Sequence, residues 1–235
     1  LEVYPRPRED LDVFDLSRME DLRLDASEAA PGVTERVEAQ LNLPSGAEPP
    51  TTAFAIDDPT SFNHSTRVTA YDSLGQSQQA TLYFRSVDPT AGEWNAYLGI
   101  NGQQVGGPQL LDFNSRGRLE SAPLLNFGPH SLNNGAEDLD IEFNLGNATQ
   151  FGDSFSVTSL SQDGFTTGSL SGIDIDAGGV VFARFTNGQA QSLGKLALAN
   201  FANPQGLQQM GDNVWGETFA AGERIRGEAG EGGLG

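Results

Sequence analysis

Apolar residues recur at every second position along most of this chain, and short clusters of glycine, asparagine and aspartate interrupt them. A period of two puts alternate side chains on opposite faces of an extended segment, whereas a helix needs apolar residues three and four apart. From Glu93 to Ile100, Trp94, Ala96, Leu98 and Ile100 share one face, with Tyr97 on the other. Leu139, Ile141, Phe143 and Leu145 alternate in the same way with Asp140, Glu142 and Asn144. In Val33 to Leu43, the apolar set Val33, Val37, Ala39, Leu41 and Leu43 is spoiled only by Glu35.

The punctuation between these runs is turn chemistry. Asp72-Ser73-Leu74-Gly75 separates Thr66–Tyr71 from Gln79–Arg85, and Asn101-Gly102 closes another pair, because glycine and asparagine supply positive backbone angles. Further extended segments are expected over Leu110–Phe113, Arg118–Leu119 and Phe155–Leu160. A three-strand meander follows, over Ser169–Asp176, Val180–Thr186 and Gln191–Phe201, with turns at Ala177-Gly178-Gly179 and Asn187-Gly188. Evenly spaced strands without helical gaps predict an antiparallel sandwich or barrel. Pattern breaks at Ala29-Ala30-Pro31-Gly32 and at Asp163-Gly164 mark two candidate boundaries. Leu1 to Ser27 is the least legible part, with Ser17-Arg18-Met19-Glu20 resembling a helix-capping box against an extended alternative. The ending GEAGEGGLG carries no periodicity and is expected to fray.

Charge and composition exclude several classes of function. The net charge is −19, from 32 acids against 13 bases, which repels nucleic-acid phosphate and anionic membranes. Neither nucleic acid nor membrane is expected as a partner. No apolar run is long enough to span a bilayer, and LEVYPRPRED lacks the plan of a signal peptide. Starting at Leu1, the 235 residues read as an excised piece of a longer protein. Cysteine is absent, so disulfides and thiolate sites are ruled out.

No catalytic, metal or cofactor-binding residue can be nominated. Asp174-Ile175-Asp176-Ala177-Gly178-Gly179 opens like a calcium loop, but the twelfth position is Phe185 where a glutamate must close the shell. A hairpin turn explains it better. Glu137, Asp138, Asp140 and Glu142 read as a solvated strand face rather than paired hydrolytic acids. Gly168-Ser169-Leu170-Ser171-Gly172 has leucine where a nucleophile elbow needs serine. His64 and His130 fall in no catalytic motif. Trp94 and Tyr97, on opposite faces, leave one ring free to stack on a sugar, which keeps a secreted adhesin or carbohydrate-binding module as the alternative reading.

Lys195 to Gly222, KLALANFANPQGLQQMGDNVWGETFAAG, begins as a strand and breaks at Asn203-Pro204-Gln205-Gly206. An irregular segment is expected beyond the turn, with Trp215, Phe219 and Phe201 as core anchors.

This last stretch closely resembles the C-terminal part of bacterial flagellar hook proteins. That family shows a strand ending in an ANF-like triplet, a Gln-Gly-Leu turn and a Gly-Asp-Asn-Val-Trp segment; here Ala221 replaces the usual small polar residue near the end. VTAYDSLGQSQQATLYF (68–84) followed by Glu93-Trp94, GSLSGIDIDAGGVVFARFTNGQAQSLGK (168–195) and LEVYP (1–5) agree as well. The resemblance implies two β domains, sandwich- or barrel-like, one inserted into the other and joined by a paired two-strand linker. Residues 1–28 plus 164–235 would form part of a discontinuous middle domain, and 29–163 the inserted outer domain. Pro31, Gly32, Asp163 and Gly164 would be the interdomain hinge. The implied function is that of a structural subunit, not an enzyme and without cofactor. Copies of it assemble into the curved extracellular tube that transmits motor torque to the filament, exported without a cleaved signal peptide. The implied partners are further copies, the rod and hook–filament junction proteins, and the hook cap. The heptad-patterned helical ends of the family are not in this sequence, so this piece alone is expected to be monomeric.

Overall fold

The fold is organised by one strand that finds all its partners late in the chain. A computed structural model describes residues 2–5, 20–22 and 28–227. Two compact units divide the chain, 1–29 with 168–235 and, between them, 30–167. Among the described residues the regular structure is all-β apart from two one-turn 3-10 segments. In chain order, β1 (Glu2–Tyr4), β2 (Glu20–Asp21) and β3 (Glu28–Ala29) precede the central unit. The Ser17-Arg18-Met19-Glu20 question falls mostly outside the described residues, although its last member, Glu20, is extended.

The central unit starts with β4 (Arg36–Pro44), where Val37, Ala39, Leu41 and Leu43 are buried and the residues between them are not. β5 (His64–Tyr71), β6 (Ser77–Asp88), β7 (Glu93–Ile100) and β8 (Gln103–Asp112) then form a four-stranded antiparallel meander. Its turns are those the sequence predicts: Gly75 has φ 76°, and Asn101 and Gly102 have φ 50° and 80°, the two positive angles of a tight hairpin. β9 (Leu124–Asn126), β10 (Glu142–Asn144), β11 (Thr149–Phe151) and β12 (Ser156–Gln162) complete a second sheet around β4. Here the expectation of purely antiparallel pairing is corrected. β12 runs antiparallel to β4, but β10 and β11 run parallel to it. A parallel pair needs a long crossover, and the whole meander lies between β4 and β10.

The inward faces of the two sheets make one hydrophobic core, including Leu43 of β4, Phe84 of β6, Trp94 of β7, Leu111 of β8 and Phe143 of β10. Each such side chain stabilises the fold by roughly 1.5–3 kcal/mol through removal of apolar surface from water. The outer face of the meander is covered too. The loop after β4 lays Phe54 flat on Tyr97, centroids 3.8 Å apart, and Phe62 edge-on to Tyr83 at 4.8 Å.

After the central unit come β13 (Gly168–Ile175), β14 (Val180–Phe185) and β15 (Ala190–Leu196), the predicted meander. β1 adds to β15 and β3 to β13, giving a six-stranded sheet in the order β2-β1-β15-β14-β13-β3. The expected strand to Phe201 is interrupted: Leu196 pairs with Val3, whereas β16 (Leu198–Phe201) pairs with β19 (Arg224–Gly227) in a separate two-stranded sheet. The segment expected to be irregular is also a hairpin, β17 (Gln208–Gly211) with β18 (Val214–Gly216). Asp212 and Asn213 turn it with φ 47° and 61°, the work usually given to Asn-Gly.

Candidate functional site

The chemically suggestive residues are occupied by structural tasks. Asp174 accepts from Arg184 Nη2 at 2.6 Å and Nε at 3.1 Å across the β13–β14 hairpin, and the bond from Arg184 holds its carboxyl below the usual range. Asp176 Oδ1 accepts from the Val180 amide at 2.8 Å and so closes the turn. Glu142 pairs with Arg36 at 3.1 Å between β10 and β4. His64 stacks on Phe155 with centroids 4.6 Å apart, and partial burial lowers its pKa. The Trp94 ring is wholly buried and offers no stacking platform, and one face of the half-buried Tyr97 is taken by Phe54. Among the described residues no three His, Asp or Glu side chains are grouped to hold a metal ion.

The expected anchors are corrected by burial. Trp215 is 55% exposed and Phe219 106%, while Phe201 is half-buried. The reason is local: Trp215 lies on a two-stranded hairpin whose residues are exposed along nearly its whole length, and Phe219 in the one-turn segment Phe219–Ala221, where Ala221 is the buried residue. Thr218 Oγ1 donates to the Gly206 carbonyl and Asn203 Nδ2 to the Ala220 carbonyl at 3.0 Å, so polar bonds fasten this segment in place of the aromatic rings.

The four crossing residues are held inside the central unit. Gly32 and Phe165 exchange both backbone hydrogen bonds, each 2.9 Å. Asp163 Oδ1 accepts from the amides of Glu35 at 3.0 Å and Arg36 at 3.1 Å. Neither Gly32 nor Gly164 has a positive φ. Each instead allows close approach: a Cβ on Gly32 would stand 2.7 Å from the Phe165 ring, and one on Gly164 2.7 Å from the Thr34 amide nitrogen. Pro31 packs against Gly75.

Sequence reasoning missed the residues beside them. Thr34 is buried; its amide donates to the Tyr71 carbonyl at 2.9 Å, and its hydroxyl accepts from the Tyr71 amide at 2.8 Å and donates to Gln162 Oε1 at 2.9 Å. Asp72, also buried, accepts from the amides of Leu74 and Gln76 and from the side chains of Gln78 and Asn134, at 2.8 to 3.0 Å. Burial alone would raise the Asp72 pKa; the four hydrogen bonds outweigh it and the net shift is downward. An aspartate opening a turn was a legible signal for Asp72. Thr34 carried none.

The fold is thus a two-sheet β unit inserted in sequence between the strands of a second β unit, with Thr34 and Asp72 committed to a crossing and a turn. The model for the flagellar basal body protein FlaE D2 domain matches residues 42–165, more than half of the chain. The chain belongs to the flagellar hook protein family. It is 33% identical over 209 residues to the flagellar hook protein FlgE of Salmonella typhimurium, covering 86% of this chain and 51% of that protein. The Escherichia coli K12 protein of the same name is 32% identical over 211 residues, again covering 86% and 51%. The Borreliella burgdorferi one is 33% identical over 186 residues, covering 70% and 42%. The chain thus spans about half the length of the first two. A crystal structure of Helicobacter pylori flagellar hook protein FlgE2 overlays with a TM-score of 0.48 at 22% identity, over 69% of this chain and 38% of that one.

Proposed function

We propose that this chain is the β-domain portion of a structural subunit of the bacterial flagellar hook, working in the tube that carries motor torque to the filament while it bends. The observation that carries the reading is the 33% identity to a hook protein sustained over 86% of the chain. Its side-chain chemistry supports a mechanical role without catalysis or cofactor, since its conspicuous carboxylates hold turns and strand pairs. In this reading residues 30–167 are the outer domain, and the flanking unit is part of the middle domain. The partners are other copies of the subunit, with the rod, the hook–filament junction proteins and the hook cap at the two ends. The location is extracellular, reached by flagellar export without a cleaved signal peptide, and the isolated piece is monomeric.

The test is replacement. The matching segment of the Salmonella hook protein is exchanged for residues 1–235 in a strain lacking its own copy, and hooks are examined by electron microscopy together with swimming. Hooks of normal diameter support the proposal. A stable, exported chimera that builds no hook overturns it.

A further inference from the structure

We propose that residues 31–36 and 162–167 form a polar clamp that closes the central unit as a rigid body where the chain enters and leaves it, in place of the glycine hinge that the family resemblance implies. The inference uses hydrogen bonds inside the 30–167 unit and does not depend on the hook assignment.

The places where a chain enters and leaves a domain ordinarily open first, because few buried contacts hold them. Here four segments are knitted together. The first and last are joined by the doubly bonded Gly32–Phe165 pair and by Asp163 Oδ1 receiving two successive amides, Glu35 and Arg36. Gln162 turns back on its own strand, taking the Gly164 amide at 2.6 Å and giving its Nε2 to the Gly164 carbonyl at 3.0 Å, while its Oε1 also receives the Thr34 hydroxyl. Thr34 extends the network to Tyr71, the last residue of β5. From there the turn after β5 reaches a fourth segment: Asp72 binds Asn134, and the Ser73 hydroxyl accepts from the Glu137 amide at 2.9 Å. Gly75 in this turn abuts Pro31 and approaches the Thr167 amide, bringing it against both crossing strands.

The glycines distinguish a clamp from a hinge. A hinge uses glycine for its range of backbone angles, but Gly32 and Gly164 are in angles open to any residue and are small because a ring and a backbone lie against them. Buried polar groups that find all their partners rigidify a structure, whereas partly satisfied ones loosen it.

Hydrogen exchange on the 235-residue chain tests this directly. The clamp requires the amides of Gly32, Tyr71 and Phe165 to exchange within about tenfold of Leu82 in the middle of the meander, as members of one cooperative unit do. Exchange about a thousandfold faster than Leu82 at these amides overturns the proposal. Thr34→Val removes both hydroxyl bonds at nearly constant volume and should accelerate Gly32 and Phe165 by roughly 10–100-fold. Unchanged rates in that variant overturn the clamp as well. If Thr34→Val does not fold, Gly164→Ala reads the same network: a clamp loses protection at Gly32 and Phe165, whereas a hinge keeps or gains it. The exchange rates of the unsubstituted chain are by themselves enough to decide between clamp and hinge.

Discussion

The central unit and the unit that flanks it are built from the same kind of strand, yet they close differently. In 30–167 two sheets face each other over a shared core, and a loop covers the outer face of one of them. In the flanking unit the buried apolar side chains among the described residues are Val3, Tyr4, Val181, Ala183, Phe185 and Ala221. Ile173, Ile175, Met210, Val214, Trp215, Phe219 and Ile225 remain exposed there. Alternation builds a sheet in both units; among the described residues the flanking unit buries one face of its sheet but leaves the apolar residues of its hairpins in water. A strand pattern therefore specifies pairing locally, while burial depends on what lies opposite.

The largest expected effects separate the two units most sharply. Phe84→Ala, in the sandwich core, should cost about 3–5 kcal/mol, while Trp215→Ala should change stability by less than about 0.5 kcal/mol. Urea unfolding followed by Trp94 fluorescence, in a background with Trp215→Phe, checks the first; the near-neutral second is read by circular dichroism. A large loss at Trp215 would mean that this ring belongs to the buried set of the flanking unit rather than to its exposed hairpin.

Asp72→Ala comes next, at about 2–4 kcal/mol, because it strands buried donors that now share one carboxylate. The same carboxylate gives an acid limb. Its native pKa lies below the unfolded value of about 3.9, so its contribution is complete above that value and is lost as pH falls below it through the native pKa. Urea midpoints between pH 5 and 2 should fall less steeply in Asp72→Asn.

A weaker effect is expected from His64 at milder pH. Its pKa is lowered by burial, so below about pH 6.5 the unfolded chain takes up a proton before the folded one does. Stability should decline from there toward pH 5, and His64→Phe, which keeps the ring against Phe155, should flatten that decline. An unaltered slope would point to other groups.

Within the sandwich, the smallest effect on folding is expected at its outer surface. Changing Asp140 and Glu142 together to lysine removes only the exposed Arg36 pair and should cost less than about 1 kcal/mol. In a hook assembled from this subunit the same change should alter curvature, visible in electron micrographs. Unaltered curvature across a panel of such reversals would separate the surface charge of this unit from the shape of the tube.

Much of the sandwich was legible because its signals were local. Trp94, Ala96, Leu98 and Ile100 were placed inward by alternation alone, and Asn101-Gly102 supplied its turn. The parallel partners of β4 were not legible, since a period of two does not encode direction or neighbour. Trp215 was misplaced for the same reason: hydrophobicity says that a ring prefers cover, not that the neighbouring strands provide it. At the crossing, a glycine needed for close approach and a glycine needed for freedom look identical in sequence. Only the Phe165 ring and the Thr34 backbone distinguish them.

The central position of β4 has a consequence in time as well as space. Its partners β10, β11 and β12 come more than a hundred residues later, so β4 cannot enter a sheet until nearly the whole unit is available. The meander β5–β8 has only neighbours to find and can close early. A chain that emerges end-first from a narrow conduit would therefore carry a half-built sandwich, its Val37–Leu43 strand unpaired until residues 142–162 appear. Completion of the domain would then be the late event that signals that the segment has fully emerged.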